Sequence, residues 1–237
     1  MTNRVRLDNV DHAELTVAAR HARAFGDSVN QVLVLPSEFE QVQREYPILF
    51  RRDEAENFYA VALLGLDLDE NLFLADEGWQ ARYVPMVQQR GPFLLGPPAD
   101  GGGEPVVHVD LDDPRVGAAG GEPLFLRHGG ATPCLQRVTG VLHALRRDAE
   151  TAGPFFAALQ ACDLIQAVSL DIKLDDGKSY VVPDVFTVAQ DRLAALGGAP
   201  LDRLHRSGFL RLAIMAAASI ANVSRLIELK NAREAGR

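Results

Sequence analysis

The segment near the C-terminus constrains the fold most, because as a helix it would be apolar around almost its whole circumference. The run 208–223 reads GFLRLAIMAAASIANV, and helical spacing continues to about residue 232. Leu212, Ala216 and Leu226 share one stripe, and the polar side is narrow. A helix of this kind is typical of a protein core. Because Arg211 interrupts the run, it falls short of the roughly 20 apolar residues that a membrane-spanning helix needs. We predict a long, largely buried C-terminal helix and no membrane span.

The first half of the chain has the pattern of β-structure. Short runs rich in Val, Ile, Leu and aromatic residues are bounded by prolines or polar turns. Ser37 and Glu40 have the spacing of a capping box, which predicts a short helix to about Tyr46. The segment PPADGGGE at 97–104 is a flexible loop by composition. The predicted strands are 4–10, 31–35, 48–52 and 58–66.

The second half is more helical. Thr132 and Pro133 suit the N-cap and the first position of a helix, and Gly153–Pro154 is expected to end that helix and begin another. An Asp-Gly pair at 176–177 predicts a hairpin, with Pro183 closing its second strand. The predicted hairpin strands are 167–174 and 179–182, and the predicted short helices are 188–196 and 200–207.

These elements predict an α+β fold. We expect a single domain over residues 1–237, since this length suits one large domain. Its N-terminal half, about 1–127, would be β-rich. Its C-terminal half, about 131–237, would be mainly helical with one hairpin.

Charge and cysteine content narrow the function classes. The chain has 24 Lys and Arg against 32 Asp and Glu, a formal net charge of −8, whereas a nucleic-acid binder needs a basic face. We expect no nucleic-acid partner. The first residues, MTNRVRLDNVDHAEL, lack the apolar core of a secretory signal, so a cytoplasmic location is expected. Cys134 and Cys162 fall in predicted helices and are expected to pack as free thiols.

The sharpest chemical motif is His108–Val109–Asp110. On a strand, residues i and i+2 point to the same face, so this pair could supply two ligands of a two-histidine, one-carboxylate iron site. The later histidines lie in a glycine turn or on predicted helices, so the third ligand is missing. We therefore favour local hydrogen bonding and no cofactor, with Fe(II) bound by His108 and Asp110 as the alternative.

Two further features suggest ligand binding. The segment His128–Gly129–Gly130 leads into a helix N-terminus, where backbone N–H groups could hold an anion, and Glu122 lies just before it. No phosphate-binding motif accompanies this segment, so an ordinary capped loop is favoured. Trp79 and Tyr83 could line a pocket, although core packing is the simpler interpretation. The candidate ligand-binding residues are therefore His108, Asp110, Glu122, His128, Gly129, Gly130, Tyr83 and Trp79.

Several strings distributed over nearly the whole chain resemble the bacterial SapC family. The strings are EFEQVQREYPILF (38–50), NLFL (71–74), YVPMVQQRGPFLL (83–95), HVDLDDPRV (108–116), GEPLF (121–125), LDDGKSY (174–180) and SIANVSRL (219–226). The resemblance implies an association with bacterial surface layers, and relatives are often encoded near nutrient-uptake receptors. It supplies no catalytic residues.

Together these observations favour a non-enzymatic cytoplasmic accessory or binding protein, associated with nutrient uptake or a surface layer. Its partner would be a small ligand or another protein, and it could be an oligomer. One alternative is a metal-dependent oxygenase resembling the Fe(II)/2-oxoglutarate enzymes, using His108 and Asp110. The other is a structural component of a surface layer.

Overall fold

The computed structural model describes residues 3–98 and 103–236, so the predicted loop 97–104 lies partly outside the described residues. The strands are β1 (Arg4–Arg6), β2 (Thr16–Val17), β3 (Gln31–Val34), β4 (Ile48–Arg52), β5 (Phe58–Leu63), β6 (Leu74–Ala75), β7 (Gly78–Trp79), β8 (Phe93–Gly96), β9 (Val106–Asp110), β10 (Glu122–Pro123), β11 (Ile165–Lys173) and β12 (Ser179–Val188). The α-helices are α1 (Phe39–Val42), α2 (Met86–Gln89), α3 (Pro133–Ala161), α4 (Gln190–Ala195), α5 (Gly198–Arg206), α6 (Phe209–Ser219) and α7 (Val223–Ala235), and short 3-10 helices cover Arg23–Phe25, Pro36–Glu38 and Ile220–Asn222.

The predicted fold class is confirmed: strands dominate the N-terminal half and helices the C-terminal half. The chain divides into two compact units, each built from three separate segments. The first unit comprises Met1–Asp27, Leu74–Trp79 and Met86–Arg146, and the second comprises Ser28–Phe73, Gln80–Pro85 and Arg147–Arg237. This division does not follow the predicted change of character near residue 130. A single domain over 1–237 stays a prediction.

The first unit is organised around an antiparallel sheet of order β1-β9-β8. Its core joins the sheet to β2 and to the first turns of α3 through Val17, Phe93, Val109, Leu124 and Leu142, together with Cys134, Leu135 and Val138. Thr132 caps α3 as predicted, because its Oγ1 accepts a hydrogen bond from the backbone N–H of Leu135 at 3.4 Å.

A buried ion pair lies in the first unit. Asp27 is fully buried, and its Oδ1 lies 2.8 Å from Nη2 of Arg115. Arg115 also contacts Asp113, with 3.2 Å between Nη1 and Oδ2, and its guanidinium lies 5.3 Å from the centre of the Phe25 ring. Buried charges need such partners, because removing one leaves the other without solvation.

The second unit contains a five-stranded antiparallel sheet of order β11-β12-β4-β5-β3. The predicted hairpin forms β11 and β12, with Gly177 at φ +88° in its turn. The prediction that Pro183 closes the second strand is wrong, because β12 continues to Val188. The register changes between Leu170↔Val182 and Val168↔Val185. Such a bulge can accommodate a proline, because the ladder of hydrogen bonds between the strands is interrupted there.

The predicted break at Gly153–Pro154 is also wrong, since α3 passes through Pro154 without interruption. A proline inside a helix costs about 3 kcal/mol. The next two side chains, Phe155 and Phe156, are buried and make edge-to-face contacts with Phe50. Burial of each phenylalanine contributes about 1.5–3 kcal/mol, which is enough to outweigh the local cost.

The capping box predicted from Ser37 and Glu40 is displaced by two positions, to Leu35 and Glu38. Oε2 of Glu38 accepts a hydrogen bond from the backbone N–H of Leu35 at 2.9 Å, and the 3-10 turn Pro36–Glu38 leads into α1. The hydroxyl of Ser37 instead contacts the carboxylate of Asp148. Glu38 is almost fully buried, so its carboxylate can accept hydrogen bonds inside the second unit.

The long C-terminal helix is confirmed as the continuous stretch formed by α6, a 3-10 turn and α7. Its buried positions form one stripe rather than most of its circumference, and they are Ala213, Ala216, Ala217, Ser219, Leu226 and Lys230. Among the described residues, Phe209–Ala235 has the length and apolar character of a membrane span, with 33% of its most apolar window buried. Length and composition alone support that match, and a core helix of a soluble protein also satisfies them.

A buried lysine fixes α7 within the second unit. Lys230 is 1% exposed, and its Nζ lies 2.7 Å from Asp67, 2.9 Å from Glu70 and 3.1 Å from Glu234. Burial by itself lowers the pKa of Lys230, but the hydrogen bonds to the three carboxylates outweigh burial and raise it. The lysine is therefore charged, and it ties α7 to the turn that follows β5.

Candidate ligand-binding site

A cleft of about 490 Å³ opens in the second unit. This volume lies within the usual range of small-molecule sites. Its walls come from the region of α1, the turns after β5, the segment 80–85 and the start of α7. The lining residues are Gln41, Arg44, Glu45, Leu72, Phe73, Gln80, Arg82, Tyr83, Asn222, Arg225 and Leu229.

Asn222 joins two walls of the cleft. Its Nδ2 donates to the backbone carbonyl of Gln43 at 2.8 Å and to that of Tyr46 at 3.1 Å. The last carbonyl groups of a helix have no partner within the helix, and Asn222 satisfies the carbonyl of Gln43, the C-cap of α1. The start of α7 is thereby held against the end of α1.

Tyr83 forms a fixed part of the wall. Its hydroxyl donates to Oε1 of Glu38 at 2.9 Å, and its backbone carbonyl accepts a hydrogen bond from the hydroxyl of Tyr46. Burial, followed by the negative charge of Glu38, raises the pKa of Tyr83 above its ordinary value. The phenol therefore stays protonated at physiological pH.

The floor of the cleft is apolar. Leu72 and Phe73 are buried, and the ring of Phe73 contacts that of Tyr46 edge-on, with 4.6 Å between ring centres. Leu229 contributes from α7. The cleft therefore combines an apolar floor with polar groups at its edges.

Arginines dominate the charge of the cleft. Arg44, Arg82 and Arg225 contribute three guanidinium groups, and Glu45 is the sole acidic residue in the lining. One oxygen of that carboxylate already accepts the backbone N–H of Arg82 at 2.8 Å. Guanidinium groups therefore outnumber carboxylates in the lining, in a chain whose net charge is −8, and they can offer hydrogen-bond donors to an anion.

His108 and Asp110 both lie on β9 of the first unit, and each has local partners. The Nε2 atom of His108 lies 3.4 Å from the carbonyl oxygen of Pro97. Asp110 accepts the backbone N–H of Asp112 at 3.2 Å and lies 3.8 Å from Nε of Arg4. Within residues 3–98 and 103–236, no group of three or more His, Cys, Asp and Glu residues is arranged to hold a metal ion. The alternative iron site therefore gains no third ligand from these residues.

The glycine turn before α3 also forms its hydrogen bonds internally. The N–H of Gly129 donates to the carbonyl of Leu126 at 2.9 Å, and the N–H of Leu126 donates to the carbonyl of Gly130 at 3.0 Å. Both glycines have positive φ, which a turn of this kind requires. His128 belongs to the same turn, so this segment has the form of a capped loop.

The remaining candidates are divided between the two units. Glu122 lies on β10 of the first unit, with Oε2 at 3.5 Å from Nη2 of Arg137. Trp79 lies on β7 of the same unit and meets the ring of His21 edge-on at 5.5 Å. Tyr83 is the one predicted candidate that lines the cleft of the second unit.

Sequence reasoning missed the cleft arginines and Asn222. They come from segments far apart in the chain, and no short motif joins them. One signal was present: four of the seven strings that carry the family resemblance contribute to the lining. These strings supply Gln41, Arg44, Glu45, Leu72, Phe73, Tyr83, Asn222 and Arg225.

Comparison with known families agrees with the resemblance. The family model described as SapC matches residues 7–226, which is nearly the whole chain. The chain belongs to the SapC family. No curated protein and no solved structure matches it significantly. Membership of the SapC family therefore identifies the chain without assigning it an activity.

Proposed function

We propose that this member of the SapC family is a non-enzymatic accessory protein that binds a small ligand in the cleft of its second unit. The observation that carries the proposal is the cleft itself, a cavity of about 490 Å³ whose walls are fixed by hydrogen bonds between separate elements. A pre-formed concave site with an apolar floor and few polar groups is typical of ligand binding.

The chemistry of the lining supports binding over turnover. General acid–base catalysis needs a group that gains or loses a proton near the working pH. The raised pKa of Tyr83 keeps its phenol protonated, and guanidinium and amide groups do not titrate there. Glu45 already accepts a backbone hydrogen bond. These groups are suited to holding a ligand in place.

The cellular setting is part of the same proposal and rests on family membership. An accessory role beside a nutrient-uptake or surface-layer system agrees with the family resemblance, and the proposal places that role in the cytoplasm. Fractionation of the source bacterium, followed by immunoblotting, tests this setting. Recovery in the surface layer instead would favour the structural alternative.

The binding function is tested by asking what the purified protein carries. Small molecules extracted from protein purified under native conditions are identified by mass spectrometry, and each is added back to stripped protein in a calorimetric titration. We expect at least one to bind stoichiometrically and to be recovered unchanged. Chemical conversion of that molecule by the protein alone would overturn the non-enzymatic proposal.

A blocked cleft provides the matched comparison. Gln41 is exposed on α1 at the edge of the cleft, and Gln160 is exposed on α3 outside it. We expect Gln41→Trp to lose the ligand and Gln160→Trp to keep it. Equal retention in both variants, or a protein that binds no extracted metabolite at all, would contradict the proposal.

A further inference from the structure

The arginines at the edge of the cleft are only weakly engaged with other groups. Nη2 of Arg44 lies 3.7 Å from Glu40, whose other oxygen is 2.9 Å from Arg211. Nη1 of Arg225 lies 3.2 Å from Glu228. Arg82 is exposed, and it contacts Glu45 through its backbone N–H at 2.8 Å.

Little free energy is lost when such an ion pair is replaced by a contact with a ligand. The side chains of Arg44 and Arg225 are 56% and 58% exposed, and exposed ion pairs contribute little to stability. A ligand that brings its own negative charge can therefore recruit these guanidinium groups at little cost. Arginine is well suited to this task because its planar fork binds carboxylate or phosphate through two parallel hydrogen bonds.

The apolar floor of the cleft places a second requirement on the ligand. Leu72, Phe73 and Leu229 give the cleft an apolar surface. A bare inorganic anion would leave this surface wet, whereas an apolar body attached to the anion would cover it. Burial of that apolar area favours binding in proportion to the area covered.

Resting on the proposed binding function, we infer that the ligand is a small amphipathic organic acid. Its acidic head, a carboxylate or a phosphate ester, binds between Arg82 and Arg225, and its apolar body lies over Phe73 and Leu229. Guanidinium groups favour the anion over a neutral or cationic head of the same shape. The floor favours a longer apolar body over a short one.

The experiment compares five probes by isothermal titration calorimetry on the whole protein: octanoate, octyl phosphate, octanamide, octylamine and acetate. We expect octanoate or octyl phosphate to bind at least tenfold more tightly than octanamide, a difference of 1.4 kcal/mol. The stronger of these two identifies the head group. We expect octylamine not to bind and acetate to bind more weakly than octanoate.

Substitutions locate the binding. We expect Arg82→Gln and Arg225→Gln each to weaken binding of the stronger anion about tenfold and to leave binding of octanamide unchanged. Arg206→Gln is the matched control, because Arg206 is 79% exposed on α5 and lies outside the cleft. It loses the same charge and should leave binding of the anion unchanged.

The outcomes separate the two proposals. If octanamide binds as tightly as both anions, the inference about the acidic head is overturned while the binding function stands. If acetate binds as tightly as octanoate, the inference that the ligand has an apolar body is overturned. If all three arginine variants bind the anion equally, the assignment to the cleft is overturned. If no probe binds and no extracted metabolite binds either, the proposed function itself fails.

Discussion

Replacing Lys230 with methionine should strongly destabilise the second unit. Methionine keeps the apolar stem of the lysine but removes the positive charge that contacts Asp67, Glu70 and Glu234. Removing one partner of a buried ion pair costs about 3–5 kcal/mol, because the other charge remains buried.

The structure places the expected loss at the lower end of this range. Asp67 is 57% exposed and can be rehydrated, whereas Glu70 is 7% exposed and cannot. Arg233 lies 3.7 Å from Glu70 and compensates in part. We therefore expect the free energy of unfolding to fall by about 3 kcal/mol.

The assay is urea unfolding followed by far-ultraviolet circular dichroism. Fluorescence is unsuitable because Trp79, the single tryptophan, lies in the first unit. Lys178→Met is the matched control: Lys178 contacts the same Glu234 at 2.9 Å but is 55% exposed, so its loss should destabilise the protein much less than the loss of Lys230. Equal losses in the two variants would refute the argument from burial.

A second expectation is that Arg115→Met lowers the stability of the first unit by about 3 kcal/mol, since it removes the guanidinium in contact with buried Asp27; an unchanged urea midpoint by tryptophan fluorescence would contradict it. Hydrogen bonds from Lys178, and then from Lys230, lower the pKa of Glu234 to about 2 from 4.5. A carboxylate whose pKa is lowered in the folded state stabilises the fold at pH values above its ordinary pKa. The melting temperature of the unsubstituted protein should therefore exceed that of Glu234→Gln most above pH 4.5, and the difference should fade as the pH falls towards 2. It should not grow in acid. Burial raises the pKa of the Cys134 thiol, so a disulfide reagent should modify the partly exposed Cys162 first; faster modification of Cys134 would be unexpected.

Local patterns predicted the kind of element well and its ends less well. The hairpin turn at Gly177 and the cap at Thr132 depend on neighbouring residues, and both are present. Pro154 and Pro183 were misjudged because their local cost is offset by tertiary packing in one case and by a bulge in the other. No sequence window contains the phenylalanine cluster that offsets the first cost.

The cleft could not be predicted for the same reason. Arg44, Arg82 and Arg225 are separated by long stretches of chain, and each looks like an ordinary surface arginine. Tyr83 is one of two aromatic candidates that the sequence offers, and the other, Trp79, lies in the first unit. What distinguishes these residues is the fold of the second unit, which brings three distant segments to one concavity.

The hydrogen bonds of Asn222 have a consequence for synthesis of the chain. They span 179 positions to Gln43 and 176 to Tyr46, so the two walls that they join are synthesised far apart in time. Chains emerge from the ribosome N-terminus first, so α1 cannot form these hydrogen bonds until the segment around Asn222 has been made. A nascent chain that ends before Asn222 would also lack the lining residues Asn222, Arg225 and Leu229, and a ligand of the cleft would not yet meet its complete site. By binding the native state alone, that ligand would also protect folded chains from unfolding.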